Sequence, residues 1–240
     1  MKIPRLPHRW PSTAREALLV QHRLLGLVSI RPLRHRISII AGLDAAFSQD
    51  GRECIAGVVL WDVESQTVLE RQIARRPLTF PYVPGLLSFR EGPALLAAMR
   101  KLRRTPDAIM CDGQGIAHPR RFGIACHLGV LCQLPSIGCA KSRLTGEYKE
   151  PGPRRGDSAP LTDGDDVIGA VLRTKDHTRA VFVSIGHRVD LPGAVHAVLS
   201  CDMGFRLPEP TRLADILVAF EKRNPPGTGT RLPRIAAKRT

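Results

Sequence analysis

The chain has 240 residues, of which 43% are hydrophobic and 24% are charged, proportions that fit one domain able to bury most of its surface. No apolar run reaches the ~18 residues that a membrane-spanning helix needs. The basic N-terminus lacks the apolar segment of a secretory signal. These features exclude a membrane-spanning protein and give no sign of secretion.

Six cysteines are scattered along the chain without a C-x-x-C pair. They are Cys54, Cys111, Cys126, Cys132, Cys139 and Cys201. Mostly apolar neighbours favour reduced thiols in a core over a disulfide framework or a zinc site. We therefore expect a cytoplasmic protein. The absence of heptads and of a long apolar surface stripe predicts a monomer.

The formal net charge of +14 is concentrated at the two ends of the chain. Residues 1–36 hold eight Lys or Arg against one Glu, and residues 221–240 hold six against one. Such ends suit attraction to a polyanion such as nucleic acid, and the alternative is a merely solubilising surface. The Pro- and Gly-rich stretch 224–230 predicts a disordered basic tail over 222–240, after a single domain over 1–221.

The predicted elements follow one another in a consistent order. A helix over 13–27 precedes three strands near 37–48, 54–62 and 67–76, whose short links predict an antiparallel meander. Next come a helix to about residue 102 with Pro93 in its first turn, a strand over 108–111, a helix over 121–131 and a strand over 135–139. Strands over 166–173 and 180–185 and helices over 193–201 and 210–221 follow. This order predicts a mixed α/β sheet with helices on both faces.

Four acids stand out in this arrangement. Asp44 lies on the first strand, Glu91 at the start of the first long helix, and Asp112 directly after the strand 108–111. If the first and fourth strands are neighbours, Asp44 and Asp112 meet, and Asp215 of the last helix can join them. Carboxylates gathered in one place favour Mg²⁺ or Mn²⁺ over zinc. Each acid alone also fits a structural role as a turn, cap or solvated helix residue.

Tyr82 lies in a stretch that prolines make stiff. Pro81 and Pro84 fix φ on both sides of Tyr82 and remove backbone donors. A stiff aromatic side chain suits insertion between bases, although an ordinary loop tyrosine has the same sequence.

Residues 40–220 resemble the endonuclease V family in six ordered segments. The matching segments are AGLD (41–44), PYVPGLLSFREGP (81–93), DGQGIAHPRRFGIA (112–125), GCAKSRLTG (138–146), SIGHRVDL (184–191) and LPEPTRLAD (207–215). They extend over most of the chain, and several are long and unusual. The resemblance implies a ribonuclease H-like fold.

The resemblance also implies an activity. It implies a Mg²⁺-dependent endonuclease, with Mn²⁺ able to substitute, that recognises hypoxanthine (deoxyinosine) in DNA and hydrolyses the second phosphodiester bond 3′ to the lesion. Asp44, Glu91 and Asp112 match the metal-binding and catalytic acids of the family. Asp215 falls where members carry a histidine or an aspartate, so its role as a ligand is less secure.

The remaining matches concern the nucleic acid. Tyr82 matches the aromatic of a wedge that separates the strands at the lesion, and His118 and Lys141 match positions near the scissile backbone. Lys141 is also counted with the catalytic residues, since a compact charge suits a phosphate or the attacking water.

Three glycines are expected to bring backbone groups close to the flat base: Gly85, Gly113 and Gly138.

Two other functions stay open at this point. One is an inosine-specific endoribonuclease, which requires a pocket that admits a 2′-hydroxyl. The other is a binder of inosine-containing nucleic acid that does not cleave it. The complete set of acids favours cleavage, because a binder has no need of crowded carboxylates.

Overall fold

In the computed structural model, which describes residues 1–224, an eight-stranded mixed sheet is covered by five helices. The strands are β1 (Ile39–Phe47), β2 (Glu53–Asp62), β3 (Thr67–Pro77), β4 (Ala108–Cys111), β5 (Ser136–Ala140), β6 (Ser158–Asp163), β7 (Asp166–Leu172) and β8 (Val181–His187). The helices are α1 (Ala14–Leu25), α2 (Leu87–Arg100), α3 (Ile124–Cys132), α4 (Leu191–Ser200) and α5 (Glu209–Arg223).

The strand order is β3-β2-β1-β4-β5-β8-β7-β6. The first three strands form the predicted antiparallel meander, and β1, β4 and β5 are parallel neighbours at the centre. Because parallel strands end on the same side, the segments that follow β1, β4 and β5 meet at one end of the sheet.

Side-chain alternation along β1 divides the core between the two faces of the sheet. Ala41 and Leu43 pack with residues of α2 and α3, whereas Ile40 packs with residues of α4 and α5. The predicted mixed α/β, ribonuclease H-like architecture with helices on both faces is therefore confirmed.

Side-chain caps fix the starts of α1 and α4. Thr13 caps α1, accepting a hydrogen bond from the backbone N–H of Glu16 (3.3 Å), while the Glu16 carboxylate accepts from the backbone N–H of Thr13 (3.1 Å). Asp190 caps α4 by accepting a hydrogen bond from the backbone N–H of Gly193 (2.9 Å).

The start of α2 differs from the prediction. The helix begins at Leu87, so Pro93 lies inside it and Glu91 lies in its second turn instead of at its start. The first residues carry no signal for this start, because Leu86 occupies the N-cap position without a side-chain capping bond. Pro93 removes one helical hydrogen bond, yet the helix continues because its buried face packs on the sheet.

Strand β6 was missed from the sequence. It contains Pro160, which lowers strand propensity, and it is the last strand of the sheet, where a proline is tolerated. A hairpin turn between Asp163 and Asp166 joins β6 to β7, with Gly164 at φ +62°.

Helix α5 extends to Arg223, so Lys222 and Arg223 belong to it and not to the predicted tail. The rest of that tail, residues 225–240, lies outside the described residues. Within residues 1–224, no helix is both long and apolar enough to span a bilayer.

Candidate metal centre and adjoining pocket

Asp44 and Asp112 are brought together by the pairing of β1 with β4. Leu43 is in register with Cys111, and the backbone N–H of Asp112 donates to the carbonyl of Leu43 (3.1 Å). Asp44 shares its face of the sheet with Ile40, and Asp112 shares the same face with Met110. Both carboxylates therefore emerge beside α5.

Helix α5 supplies the third acid because it lies unusually close to β1. A Cβ atom at Gly42 would overlap the backbone of Pro210, and one at Gly57 would lie 2.7 Å from Cγ1 of Val218. This close approach brings Asp215 to the other two acids. Oxygen atoms of Asp44, Asp112 and Asp215 all lie within 4.8 Å of one another, and we call these three residues the acidic cluster.

Glu91 approaches from α2, on the opposite face of the sheet. It is not part of the three-residue cluster, but its side chain is buried and only 8% of the residue is exposed. Burial, followed by the charges of Asp44 and Asp112, raises the pKa of Glu91 to about 8. Glu91 therefore lies within electrostatic reach of the cluster.

The pKa of Asp44 shows that the one neighbouring ammonium, from Lys141, does not offset the burial and mutual repulsion of the carboxylates. Burial raises the pKa of Asp44 to about 8, with the charge of Asp112 as the next cause, and Lys141 opposes the shift. A cation held between these oxygens would favour the ionised carboxylates. Since every donor is a carboxylate oxygen, the set fits a hard divalent ion such as Mg²⁺ or Mn²⁺.

Lys141 provides the positive charge nearest to the cluster. Its Nζ atom lies 2.6 Å from Oδ2 of Asp112 and 3.2 Å from Oδ1 of Asp215. Burial alone would lower the pKa of Lys141, but the hydrogen bonds and charges of Asp112 and Asp215 outweigh it and raise the pKa. Lys141 therefore stays charged while 39% of its side chain is exposed to an incoming ligand.

A cavity of about 370 Å³ opens directly beside the cluster. Asp112 and Lys141 belong to its wall, together with the loop that carries Tyr82 and Gly85. Apolar side chains line much of the rest: Val83, Leu87, Phe122, Ile124 and Leu144. This combination suits a flat, partly apolar group joined to a charged one, as in a base attached to its phosphate.

The Tyr82 loop is anchored by hydrogen bonds at Gly85, whereas the Tyr82 side chain is exposed to solvent. Tyr82 is 71% exposed, and Gly85 has φ +75°, a conformation that favours glycine. The carbonyl of Gly85 accepts hydrogen bonds from Gln21 Nε2 (3.2 Å), Arg120 Nη2 (2.8 Å) and His118 Nε2 (3.0 Å). The loop thus presents an exposed aromatic side chain, while the backbone at Gly85 is held in place by hydrogen bonds.

His118 is one of the residues that hold the Tyr82 loop in place. Its Nδ1 accepts a hydrogen bond from the backbone N–H of Arg120 (3.1 Å), so the ring proton lies on Nε2 and is donated to Gly85. Burial and then the charge of Arg120 lower the pKa of His118 to about 4, which keeps the ring neutral. His118 therefore supports the loop, and its contact with the scissile backbone stays a prediction.

The three predicted glycines have different surroundings. Gly85 and Gly113 line the cavity, as expected for a backbone that approaches a base. Gly138 does not line it: a Cβ there would lie 2.6 Å from both the Gly113 carbonyl oxygen and the Gly115 nitrogen. Gly138 therefore makes room for the protein's own backbone under the pocket.

Sequence reasoning missed Gln114 and Arg143. Both line the cavity, and Gln114 Nε2 donates to the carbonyl of Ser142 (3.0 Å), which ties the segment after β4 to the segment after β5. Arg143 stands beside Lys141 at the junction with a second, more polar cavity. Their position inside the matched segments 112–125 and 138–146 was the available signal.

Comparison with known proteins gives a consistent result. The Endonuclease V family model matches residues 23–216. An Endonuclease V of Azotobacter vinelandii is 50% identical over 210 residues, which cover 88% of this chain and 95% of the relative. The crystal structure of an Endonuclease V from Streptomyces avermitilis is 43% identical, with a TM-score of 0.86, and covers 91% of this chain and 97% of its own.

A more distant structure shares the fold. The crystal structure of Ciona intestinalis Endonuclease V, in complex with a 24mer DNA containing an inosine followed by a ribo-adenosine, is 24% identical with a TM-score of 0.76. The match covers 87% of this chain and 97% of that chain.

Proposed function

The chain belongs to the endonuclease V family of nucleases, and from this premise we propose that it repairs DNA containing deaminated adenine. The proposed substrate is DNA with a deoxyinosine (hypoxanthine) residue, and the proposed reaction is hydrolysis of the second phosphodiester bond 3′ to it. One observation carries the proposal: Asp112, a member of the acidic cluster, and Lys141, which contacts it, both line the pocket. A base in the pocket would thus leave its backbone beside the acids.

Asp44, Asp112 and Asp215 are the residues that would hold the divalent cation, with Glu91 as a buried fourth carboxylate. The all-oxygen donor set and the raised pKa values of Asp44 and Glu91 support this assignment. Mg²⁺ is the proposed ion, and Mn²⁺ the proposed substitute. When bound, such ions make water more acidic and stabilise negative charge on a leaving oxygen.

Lys141 is proposed to receive the scissile phosphate. Its ammonium group has three donors, of which the two carboxylates at 2.6 and 3.2 Å use two. The third donor is available to a phosphate oxygen, and the charge of Lys141 offsets the repulsion between the phosphate and the acids. Lys141 thereby orients the phosphate without leaving Asp112.

Recognition of the lesion is proposed to combine the wedge and the pocket. Tyr82, stiffened by Pro81 and Pro84, would fill the space left by the extruded base and offset part of the few kcal/mol that extrusion costs. Backbone groups near Gly85 and Gly113 would then read the base. Hypoxanthine presents an N1–H donor and an O6 acceptor where adenine presents the opposite pattern.

The proposed setting is a monomer in the cytoplasm. All six cysteines are buried and unpaired, which supports a reducing environment.

RNA is the second candidate substrate. The Ciona complex holds a DNA in which a ribonucleotide directly follows the inosine. This observation about the relative is the reason to propose inosine-containing RNA as a second substrate for this chain. The choice between DNA and RNA as the substrate depends on whether the groups near Asp44 and the pocket admit a 2′-hydroxyl.

Cleavage of an end-labelled duplex with one deoxyinosine tests the function. The assay is run with Mg²⁺, with Mn²⁺ and with EDTA, beside the same sequence as RNA. We expect a nick one nucleotide beyond the lesion on DNA, which EDTA abolishes. Faster cutting of the RNA would make inosine RNA the substrate, and binding without cutting in either metal would leave a binder in place of a nuclease.

A further inference from the structure

A second concentration of charge lies far from the acidic cluster. It consists of Arg31, Arg34 and Arg36, from the segment between α1 and β1, and Arg188, which follows β8; we call these four residues the amino-end cluster. They line a cavity of about 230 Å³ together with His35. Arg31, Arg34 and Arg36 belong to the basic end over residues 1–36, but no individual residue of the amino-end cluster was assigned a role from the sequence.

The amino-end cluster stands at the opposite end of the parallel strands from the acids. It surrounds the starts of β1 and β5, whereas Asp44, Asp112 and Lys141 lie at or after the carboxyl ends of β1, β4 and β5. Asp44 lies five residue steps after Ile39 on β1, a strand length of about 17 Å at ~3.3 Å per residue. The acidic cluster and the amino-end cluster therefore lie at opposite ends of the sheet.

The charges of the cluster have little compensation within residues 1–224. Arg31, Arg34 and Arg36 form no ion pair there. Asp107 is the one acid lining the cavity, and its Oδ2 atom already accepts hydrogen bonds from the backbone N–H groups of Ser38 (2.9 Å) and Ile39 (2.8 Å).

Hydrogen bonds and apolar packing anchor parts of the amino-end cluster although its charges are not compensated. The backbone N–H of Arg188 donates to the carbonyl of Ser29 (2.6 Å), and its guanidinium donates to the carbonyl of Gln133 (2.5 Å). Leu33 packs against residues of the α4 and α5 face. Burial is the largest cause that lowers the pKa of Arg188, and the charges of Arg31 and Arg34 lower it further, as expected for like charges that line one cavity. A bound polyanion would relieve that repulsion.

The chemistry of the lining indicates phosphate groups as the ligand. Guanidinium groups donate in a planar fork that matches phosphate oxygens, and no Phe, Tyr or Trp lines the cavity to stack on a base, His35 being its one aromatic ring. Contacts of this kind depend on the backbone and not on the base sequence.

We propose that the amino-end cluster is a second nucleic-acid site that binds the backbone of a duplex other than the one held at the acidic cluster. A duplex lying across the carboxyl ends of β1, β4 and β5 would have to bend around the sheet to reach the amino-end cluster, and double-stranded DNA resists bending over such short lengths because it is stiff over ~150 base pairs. The protein would then bridge two duplexes, or two distant segments of one, and pass between them while it searches for lesions. The proposal rests on the proposed function, in that the partner is the same class of polymer as the substrate.

Energy transfer between two short undamaged duplexes, one with a donor dye and one with an acceptor dye, tests the bridge. The experiment uses the full chain, EDTA and low salt, so it needs neither cleavage nor a lesion. We expect wild-type protein to bring the two dyes together. The variant Arg31→Gln/Arg34→Gln/Arg36→Gln should bind the second duplex at least about tenfold more weakly, because it loses three phosphate contacts.

The matched control removes the same charge elsewhere. Arg52→Gln/Arg76→Gln/Lys175→Gln changes three exposed cations that lie outside the two basic ends of the chain and line none of the three cavities. This variant should bridge like the wild type, and both variants should match its Tm and its rate on a deoxyinosine oligonucleotide.

Three outcomes would overturn the proposal: no bridging by the wild type, bridging that survives in the cluster variant, or equal loss in both triple variants. Absence of bridging together with normal deoxyinosine cleavage would leave the proposed function intact and point to an acidic protein as the partner. Bridging without any cleavage would support the second site while contradicting the proposed function.

Discussion

Nζ of Lys141 lies 2.6 Å from Oδ2 of Asp112, at the point where the acidic cluster meets the pocket. The ammonium therefore competes with a bound metal ion for the same carboxylates and, at the same time, offers a contact for the phosphate. Removal of the Lys141 ammonium should therefore strengthen metal binding and weaken the contact with the phosphate.

Lys141→Gln is expected to bind Mn²⁺ more tightly and to cleave about 10²-fold more slowly, because the site gains negative charge while the phosphate loses its partner. Titration calorimetry with Mn²⁺ and single-turnover cleavage measure the two effects. Lys149→Gln, at an exposed position outside both cavities, is the control. A slower enzyme with weaker Mn²⁺ binding would contradict the competition.

Asp44→Asn should abolish cutting, by at least about 10²–10³-fold, while binding of inosine DNA persists. The same change should stabilise the metal-free fold, since the pKa of Asp44 is raised to about 8. The folded chain holds a proton on Asp44 that the unfolded chain releases above about pH 4, so wild-type stability falls as pH rises towards 8. Urea denaturation in EDTA should show a larger gain at pH 8 than at pH 5. Asp165→Asn, in the exposed β6–β7 turn, should change neither activity nor stability.

Tyr82→Ala should lower the preference for an inosine duplex over an undamaged one by about 1–3 kcal/mol, the usual contribution of a stacked aromatic. Tyr82→Phe keeps the ring and should behave like the wild type. Competition binding with the two duplexes gives the ratio. If both duplexes lose the same affinity, Tyr82 is a general contact and not a wedge.

Gly42→Ala should destabilise the protein by about 1–3 kcal/mol or more, because the new Cβ would overlap the backbone of Pro210. Activity should fall as well, since α5 carries Asp215. Gly26→Ala is the matched control: its φ is −64° and the nearest atom to a new Cβ is 3.8 Å away. Thermal unfolding distinguishes the two, and a Gly42→Ala protein with wild-type Tm would mean that α5 is not packed as described.

Stability should fall in mild acid because of His127. Burial, assisted by the charge of His8, lowers the pKa of His127 to about 3. The unfolded chain takes up this proton below about pH 6.5 and the folded chain does not, so the free energy of unfolding should drop as pH falls from about 6.5 to 3, by up to about 1.4 kcal/mol per pH unit for this residue. His127→Gln should reduce that slope, whereas His196→Gln, exposed on α4, should keep it.

The central sheet was the part of the fold that the sequence predicted best. The strand over 108–111 is apolar throughout and ends at Asp112-Gly113, so its extent followed from a simple pattern. Its place beside β1 was only a condition of the sequence argument, and the structure meets that condition. Two features depended on tertiary contacts and could not be read from local signals. One is the start of α2 ahead of Pro93, and the other is the edge strand β6.

The site was predictable to a similar degree. Strand pairing alone brought Asp44 and Asp112 together, but the approach of Asp215 depends on the contact between Gly42 and Pro210, which no periodicity reveals. The support that His118 gives to the Tyr82 loop also required coordinates, because its Nε2 bonds to the carbonyl of Gly85, which is 33 residues away in the chain.

The position of α5 in chain order has a consequence for synthesis. Helix α5 is the last element of the described residues, and it alone supplies the third carboxylate of the acidic cluster. A growing chain released up to β8 would already have its pocket and two of the acids, but it would lack Asp215 until α5 docks on β1. The acidic cluster is thus completed only after α5 has left the ribosome, later than every residue that lines the pocket.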